Sequence, residues 1–219
     1  GAAGLLVTDW GDYGHWQPYP VSYIGIVYAA GVGWNYATNH ALEMSPVLDT
    51  LIYRDEARLM GNVTLALANL YQRIGPDHIN GQVLAYALHW PADEIEADLK
   101  RLEQWGGAPA NSTPETIRQA ITEAEQVAAE LDQARMQRPD AALIRREWQQ
   151  AARLLAHGGR WLLFAQQPDA DQARLLLDDL QTLIVQQRQN WLARSRSGGL
   201  EDSMRRFEHL RRAYLAACD

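Results

Sequence analysis

The chain has 219 residues, 47% of them hydrophobic and 21% charged, and a net charge of −7. That supplies enough apolar material for a buried core, and the sign of the charge disfavours nucleic acid as the main partner. No run of about 18 apolar residues exists, so no membrane-spanning helix and no membrane partner are expected. The lone Cys218 excludes an intrachain disulfide and makes a thiolate metal site improbable.

Taken in chain order, Leu5-Leu6-Val7-Thr8 reads as a short buried strand, and Pro20 to about Asn35 as an apolar helix. Gly25, Ala29, Ala30, Gly31 and Gly33 give that helix a small-residue surface suited to close packing on a sheet. The amino end shows neither a basic segment nor a cleavage site, which favours the cytoplasm over a secreted or periplasmic location. Beyond Asn39 the texture becomes helical. Ser45-Pro46 predicts a cap and a first helical residue, opening a helix to about Arg54. An apolar segment from Val63 to Ile74 stops at Gly75-Pro76, residues 81–90 form a short helix closed by Pro91, and Asp93 to Trp105 form a charged helix ended by Gly106-Gly107.

Ser112-Thr113-Pro114-Glu115 starts a helix whose apolar stripe is Ile117, Ile121, Ala124, Ala128 and Leu131. Pro139-Asp140 and Pro168-Asp169 reset the chain before stripes at Ile144, Trp148, Ala151, Leu155 and Leu162, then at Leu176, Leu180, Ile184 and Trp191. Gly198-Gly199 precedes a last helix lined by Met204, Phe207, Leu210 and Tyr214. Short turns between such helices predict an antiparallel bundle. The expected organisation is a strand–loop–helix unit over residues 1–40, connecting helices over 41–110 and the bundle over 111–219. The fold class is thus mainly α with one strand–helix unit. A parallel strand needs neighbours on its edges, and none is found downstream, so either the first forty residues fold differently or, as is expected here, the chain is the carboxyl-terminal part of a larger protein.

Chemistry concentrates in one loop. Asp9, Asp12 and His15 alternate there with Trp10, Tyr13 and Trp16. Carboxylates accept hydrogen bonds from vicinal hydroxyls and indole faces stack on sugar rings, so this mixture suits a neutral sugar better than a phosphate. Two blander readings stand beside it. The acids could cap turns while the aromatics fill a core, or Asp12 and His15 could begin a metal site, although two ligands on a loop are a weak signal.

The stretch Gly4-Leu5-Leu6-Val7-Thr8-Asp9-Trp10-Gly11-Asp12, followed by Gly14-His15-Trp16-Gln17, resembles the last barrel strand and loop of glycoside hydrolase family 20, the β-N-acetylhexosaminidases. Residues from Pro20 to Asn35 are similar to the final barrel helix of the bacterial branch that ends in a helical domain. Trp191-Leu192-Ala193-Arg194 with Gly198-Gly199-Leu200-Glu201-Asp202-Ser203 resembles a segment of that helical domain. The resemblance implies the end of a (β/α)8 barrel followed by a bundle. It also implies a retaining, substrate-assisted hydrolase, with Trp10 walling in the terminal sugar, Asp12 binding its hydroxyls, and His15 and Trp16 shaping the rim. The partner implied is a glycan ending in N-acetylhexosamine; no cofactor, no metal and no catalytic residue of this chain are implied. The family's Asp-Glu pair has two formal matches, Asp55-Glu56 and Asp93-Glu94, but both lie in charged helical sequence and read as solvated surface. The family's first-strand arginine and seventh-strand tyrosine have no counterpart. Two other function classes stay open: a non-enzymatic helical interaction module, which could form a homodimer through the bundle or through an exposed strand, and a stand-alone sugar-binding protein.

The remaining candidates carry less. His40, His78, His89, His157 and His209 are scattered and read as structural or surface residues. Gly158-Gly159 within a long helix points to a close crossing or a break. The arginines at 194–196, 205–206 and 211–212 read as solvated bundle faces.

Overall fold

The computed structural model describes residues 3–75, 81–106 and 111–218; the readings that rest on Pro76, His78 and Gly107 lie outside the described residues. The architecture is mainly helical, as expected. The strand expected at residues 5–8 is corrected. No strand forms among the described residues, and an isolated antiparallel bridge joins Asp55 to Met136. Leu5, Leu6 and Val7 instead lie exposed and without regular structure, Leu6 at 85%. A strand's amides and carbonyls need a ladder, and no described segment supplies one here. The segment still runs along the expected helix: a Cβ on Gly33 would sit 3.1 Å from Leu5 Cδ2.

A 3-10 turn, Tyr19–Ser22, leads into α1 (Tyr23–Trp34). Asn35 ends α1 and its Oδ1 caps α2 (Tyr36–Asn39), accepting from the Thr38 amide at 3.2 Å. The helix predicted from Ser45 begins slightly earlier, as α3 (Met44–Val47), and runs into a π turn, Leu48–Tyr53. Glu43 holds the cap position, and Ser45 Oγ donates to Asn62 Oδ1 at 2.7 Å instead. Next come α4 (Met60–Ala68), α5 (Val83–Ala87) and α6 (Ile95–Gly106).

The bundle comprises α7 (Pro114–Glu130), α8 (Ala141–Gln166), α9 (Ala170–Arg194), α10 (Leu200–Arg205) and α11 (Glu208–Cys218). Its starts follow the sequence signals. Thr113 Oγ1 accepts from the Thr116 amide at 3.2 Å ahead of Pro114, and Asp169 Oδ1 accepts from the Gln172 amide at 2.9 Å. The α8–α9 pairing is antiparallel, since Glu147 meets Arg194 while His157 meets Asp179. The glycine pair marks a close crossing on two sides of α8. A Cβ on Gly158 would overlap the Leu84 carbonyl oxygen of α5, and one on Gly159 would stand 2.7 Å from Ile121 of α7. One apolar core takes side chains from both the 41–110 and the 111–218 stretches, and Trp16 joins it.

Two polar clusters depart from the surface reading, and a third shows His157 in the structural role that was one of its two readings. Glu147, 2% exposed, receives two 2.7 Å hydrogen bonds from Arg194, so Arg194 locks α8 to α9 and is not a solvated arginine. His157 is fully buried, with Asp179 at 2.7 Å from Nδ1 and the Tyr214 hydroxyl at 3.1 Å from Nε2. Asp55 is also buried, correcting its assignment to helix surface. Its carboxylate accepts from the amides of Ala57 (3.2 Å), Leu59 (2.8 Å), Met60 (3.2 Å) and Arg135 (2.6 Å), tying the α3–α4 connection to the chain before α8. Asp93 and Glu94 do lie exposed, in a turn preceding α6.

Candidate functional site

The loop from Asp9 to Trp16 is built by its backbone. Tyr13, Gly14 and His15 take φ values of 55°, 93° and 54°, three successive residues in the left-handed region. For the two non-glycine residues that conformation costs roughly 1 kcal/mol or more each, and such strain concentrates at functional loops. The tryptophans on the two sides of the turn have opposite surroundings. Trp10 points outward, 70% exposed, whereas Trp16 is only 6% exposed. Ser203 fastens the turn by donating from Oγ to the Gly14 carbonyl at 2.5 Å.

The four residues expected to bind sugar therefore separate. Trp10 has an open ring, and its carbonyl accepts from Gln17 Nε2 at 3.2 Å. Asp12 is exposed, and no hydrogen bond to its carboxylate forms among the described residues. His15 is exposed and stands edge-on to Trp191, ring centroids 6.2 Å apart. Trp16 does not shape a rim. Both of its faces are occupied, by Phe207 at 3.7 Å and His89 at 4.2 Å, and its Nε1 donates to the Ser203 carbonyl at 3.3 Å. Burial of its large apolar face in the bundle outweighs any role at the surface. Asp9 is exposed and accepts from Ser22 Oγ at 2.6 Å, tying the segment to the turn before α1.

Behind the loop, rings from three segments form a column running Tyr13–His89–Trp16–Phe207, with neighbouring centroids 5.3, 4.2 and 3.7 Å apart. Burial, assisted by the positive charge of Arg206 and by His209, pushes the His89 imidazole down to about 4, so His89 is neutral at pH 7. His89, Ser203 and Arg206 attracted no functional reading from the sequence, and Phe207 was legible only as part of an apolar stripe. They are brought to the loop by tertiary packing, and no local spacing announces that. Among the described residues no group of three His, Cys, Asp or Glu side chains is placed to hold a metal ion. Asp12 and His15 meet through the backbone, the His15 amide donating to the Asp12 carbonyl at 3.1 Å.

Comparison of the chain with protein-family models, with curated proteins and with solved structures returns no match.

Proposed function

We propose that this chain is the carboxyl-terminal portion of a retaining, substrate-assisted β-N-acetylhexosaminidase of the family 20 type. In this reading Trp10 and Asp12 form one wall of a sugar pocket whose acid pair lies elsewhere. The observation that carries the reading is the apolar surface around the loop. Helix α1 is apolar on every side, yet none of its residues is buried, and Trp34 at its end is 91% exposed. Leu5, Leu6, Val7 and Trp10 are exposed as well, and Leu5 lies against α1 at Gly33. A helix apolar all round belongs in a protein interior, and a contiguous exposed patch of this kind marks an interface. A barrel sheet would cover that surface and would supply the ladder that residues 5–8 lack.

The unit is held ready for such a partner by its other end. Trp16 and Pro20 are buried against the bundle, and the Tyr23 ring sits under the Arg138 guanidinium at 5.9 Å. The helical domain thus anchors residues 16–24 and presents the rest. Trp10 would stack on the terminal sugar while the Asp12 carboxylate, without a hydrogen bond among the described residues, accepts from its hydroxyls. His15 would border them. Trp16 is left out of the wall and assigned to anchoring.

Incubating the chain with an aryl N-acetyl-β-glucosaminide tests the division of labour. No turnover is expected, because the chain offers a wall and no general acid; hydrolysis by the chain itself would overturn that assignment. The same apolar surface also supports a second reading, self-association. Sedimentation distinguishes the two, with a monomer that recruits an upstream segment on one side and a stable dimer burying α1 on the other.

A further inference from the structure

A second cleft, of about 640 Å³, opens beside the loop and is built wholly from described residues of this chain. That volume falls in the range of small-molecule sites. Tyr13, Tyr86, His89, Trp90, Arg206 and His209 carry its chemistry. Tyr13 is half exposed and meets Tyr86 edge-on at 5.7 Å, while Tyr86 and Trp90 lie nearly parallel at 6.4 Å. One wall of the cleft is therefore aromatic.

The other wall carries one uncommitted cation. Arg205 pairs with Asp202, and Arg211 and Arg212 with Glu208, whereas Arg206 has no carboxylate partner among the described residues. In a chain with a net charge of −7, such a guanidinium is a vacant anion receptor. Its stem is fixed beneath the loop, where a Cβ on Gly14 would come within 2.7 Å of Arg206 Cδ. His209 adds a directed acceptor. Its Nδ1 stands 2.9 Å from the Arg206 carbonyl oxygen, which can only accept, so Nδ1 carries the proton and Nε2 a lone pair. That Nε2 is buried and has no hydrogen-bond partner among the described residues. Burial lowers the His209 pKa, which keeps the lone pair available at neutral pH.

We propose that this cleft binds an acidic saccharide, the Arg206 guanidinium taking the sugar's oxyanion, His209 Nε2 accepting from a hydroxyl and the Tyr13 ring covering an apolar sugar face. A flat aryl acid would satisfy the guanidinium and the rings, but it would leave His209 Nε2 without a donor. Sugar hydroxyls supply that donor. Neither Trp10 nor Asp12 lines this cleft, and the proposal holds whether or not their wall belongs to a hydrolase.

Calorimetric titration of the chain with glucuronic acid, N-acetylglucosamine 6-sulfate, N-acetylglucosamine and benzoate tests it. At least one acidic sugar is expected to bind about tenfold or more tightly than neutral N-acetylglucosamine. Preference for the carboxylate or for the sulfate ester identifies which oxyanion the site takes. Arg206→Gln, which keeps the packed stem, should erase the preference while leaving the melting curve in place. Tyr13→Ala should weaken binding of acidic and neutral sugars alike. Equal binding of acidic and neutral sugars, unchanged binding in Arg206→Gln, or benzoate binding as tightly as the acidic sugars would overturn the proposal.

Discussion

The indole of Trp16 lies 3.7 Å from the Phe207 ring with the two planes 2° apart, joining the first loop of the chain to the turn before its last helix. This face-to-face geometry is not the arrangement ring quadrupoles prefer. Its stability comes from burial, since Trp16 is 6% and Phe207 1% exposed. The stack is what lets a loop with three left-handed residues keep a defined shape while its outer half stays open.

Replacing Trp16 or Phe207 by alanine should each cost about 3–5 kcal/mol of unfolding free energy. The double variant should cost less than the sum by roughly 1 kcal/mol, because the two rings share one contact. Urea unfolding of the four proteins measures this, and strict additivity would contradict the stack.

Glycine substitutions should differ in sign along the chain. Gly158→Ala places a methyl against the Leu84 carbonyl oxygen, so the loss from forcing α5 off α8 should exceed the helix-propensity gain of about 1 kcal/mol. Gly25→Ala in α1 meets nothing within 4 Å and should stabilise the isolated chain by roughly 0.5–1 kcal/mol. Thermal melts of the two variants should move in opposite directions.

Removing the Asp55 carboxylate should be more costly than a surface substitution. Four backbone amides converge on it, and Asp55→Ala leaves them without their acceptor, a loss of about 3 kcal/mol. Hydrogen exchange should show the amides of Leu59 and Arg135 losing protection first. Unchanged exchange there would contradict the role given to Asp55.

Acid should weaken the fold before the carboxylates titrate. An unfolded imidazole has a pKa of about 6.5, and His89 in the folded chain is pushed down to about 4. Between those values the unfolded chain binds the extra proton, so stability falls as the pH drops through the window and this contribution is exhausted near the lower one. His209, lowered by burial, adds with the same sign. The Asp49 carboxyl, raised by burial, acts in the opposite direction but in the carboxylate range. Urea midpoints from about pH 7 down to pH 5.5 isolate the imidazoles, and His89→Phe should flatten the slope while keeping the ring column.

Much of the bundle was legible because its signals are local. Thr113-Pro114 and Asp169 mark helix starts, and the stripes at Ile144, Trp148 and Leu155 or Leu176 and Leu180 give the buried faces directly. The glycine pair likewise announced the crossing on α8. The strand at 5–8 was misread because four apolar residues signal burial without saying what buries them. Charged positions misled for a related reason. Asp55 and Arg194 look like surface in any local window, yet each is held by a group distant in the chain, the Arg135 amide in one case and Glu147 in the other. Within the loop, residue types alone could not separate the outward Trp10 from the inward Trp16. That division depends on a backbone turn and on Phe207.

The central claim is that Trp10 and Asp12 form a sugar wall completed by protein outside this chain. The most direct measurement is kcat/KM for an aryl N-acetyl-β-glucosaminide, using the product of the whole reading frame that encodes these residues. The account predicts hydrolysis by that product and a loss of about 100-fold or more for both Trp10→Ala and Asp12→Asn, with the fold intact. A whole product without hydrolysis, or one whose rate ignores both substitutions, would contradict it.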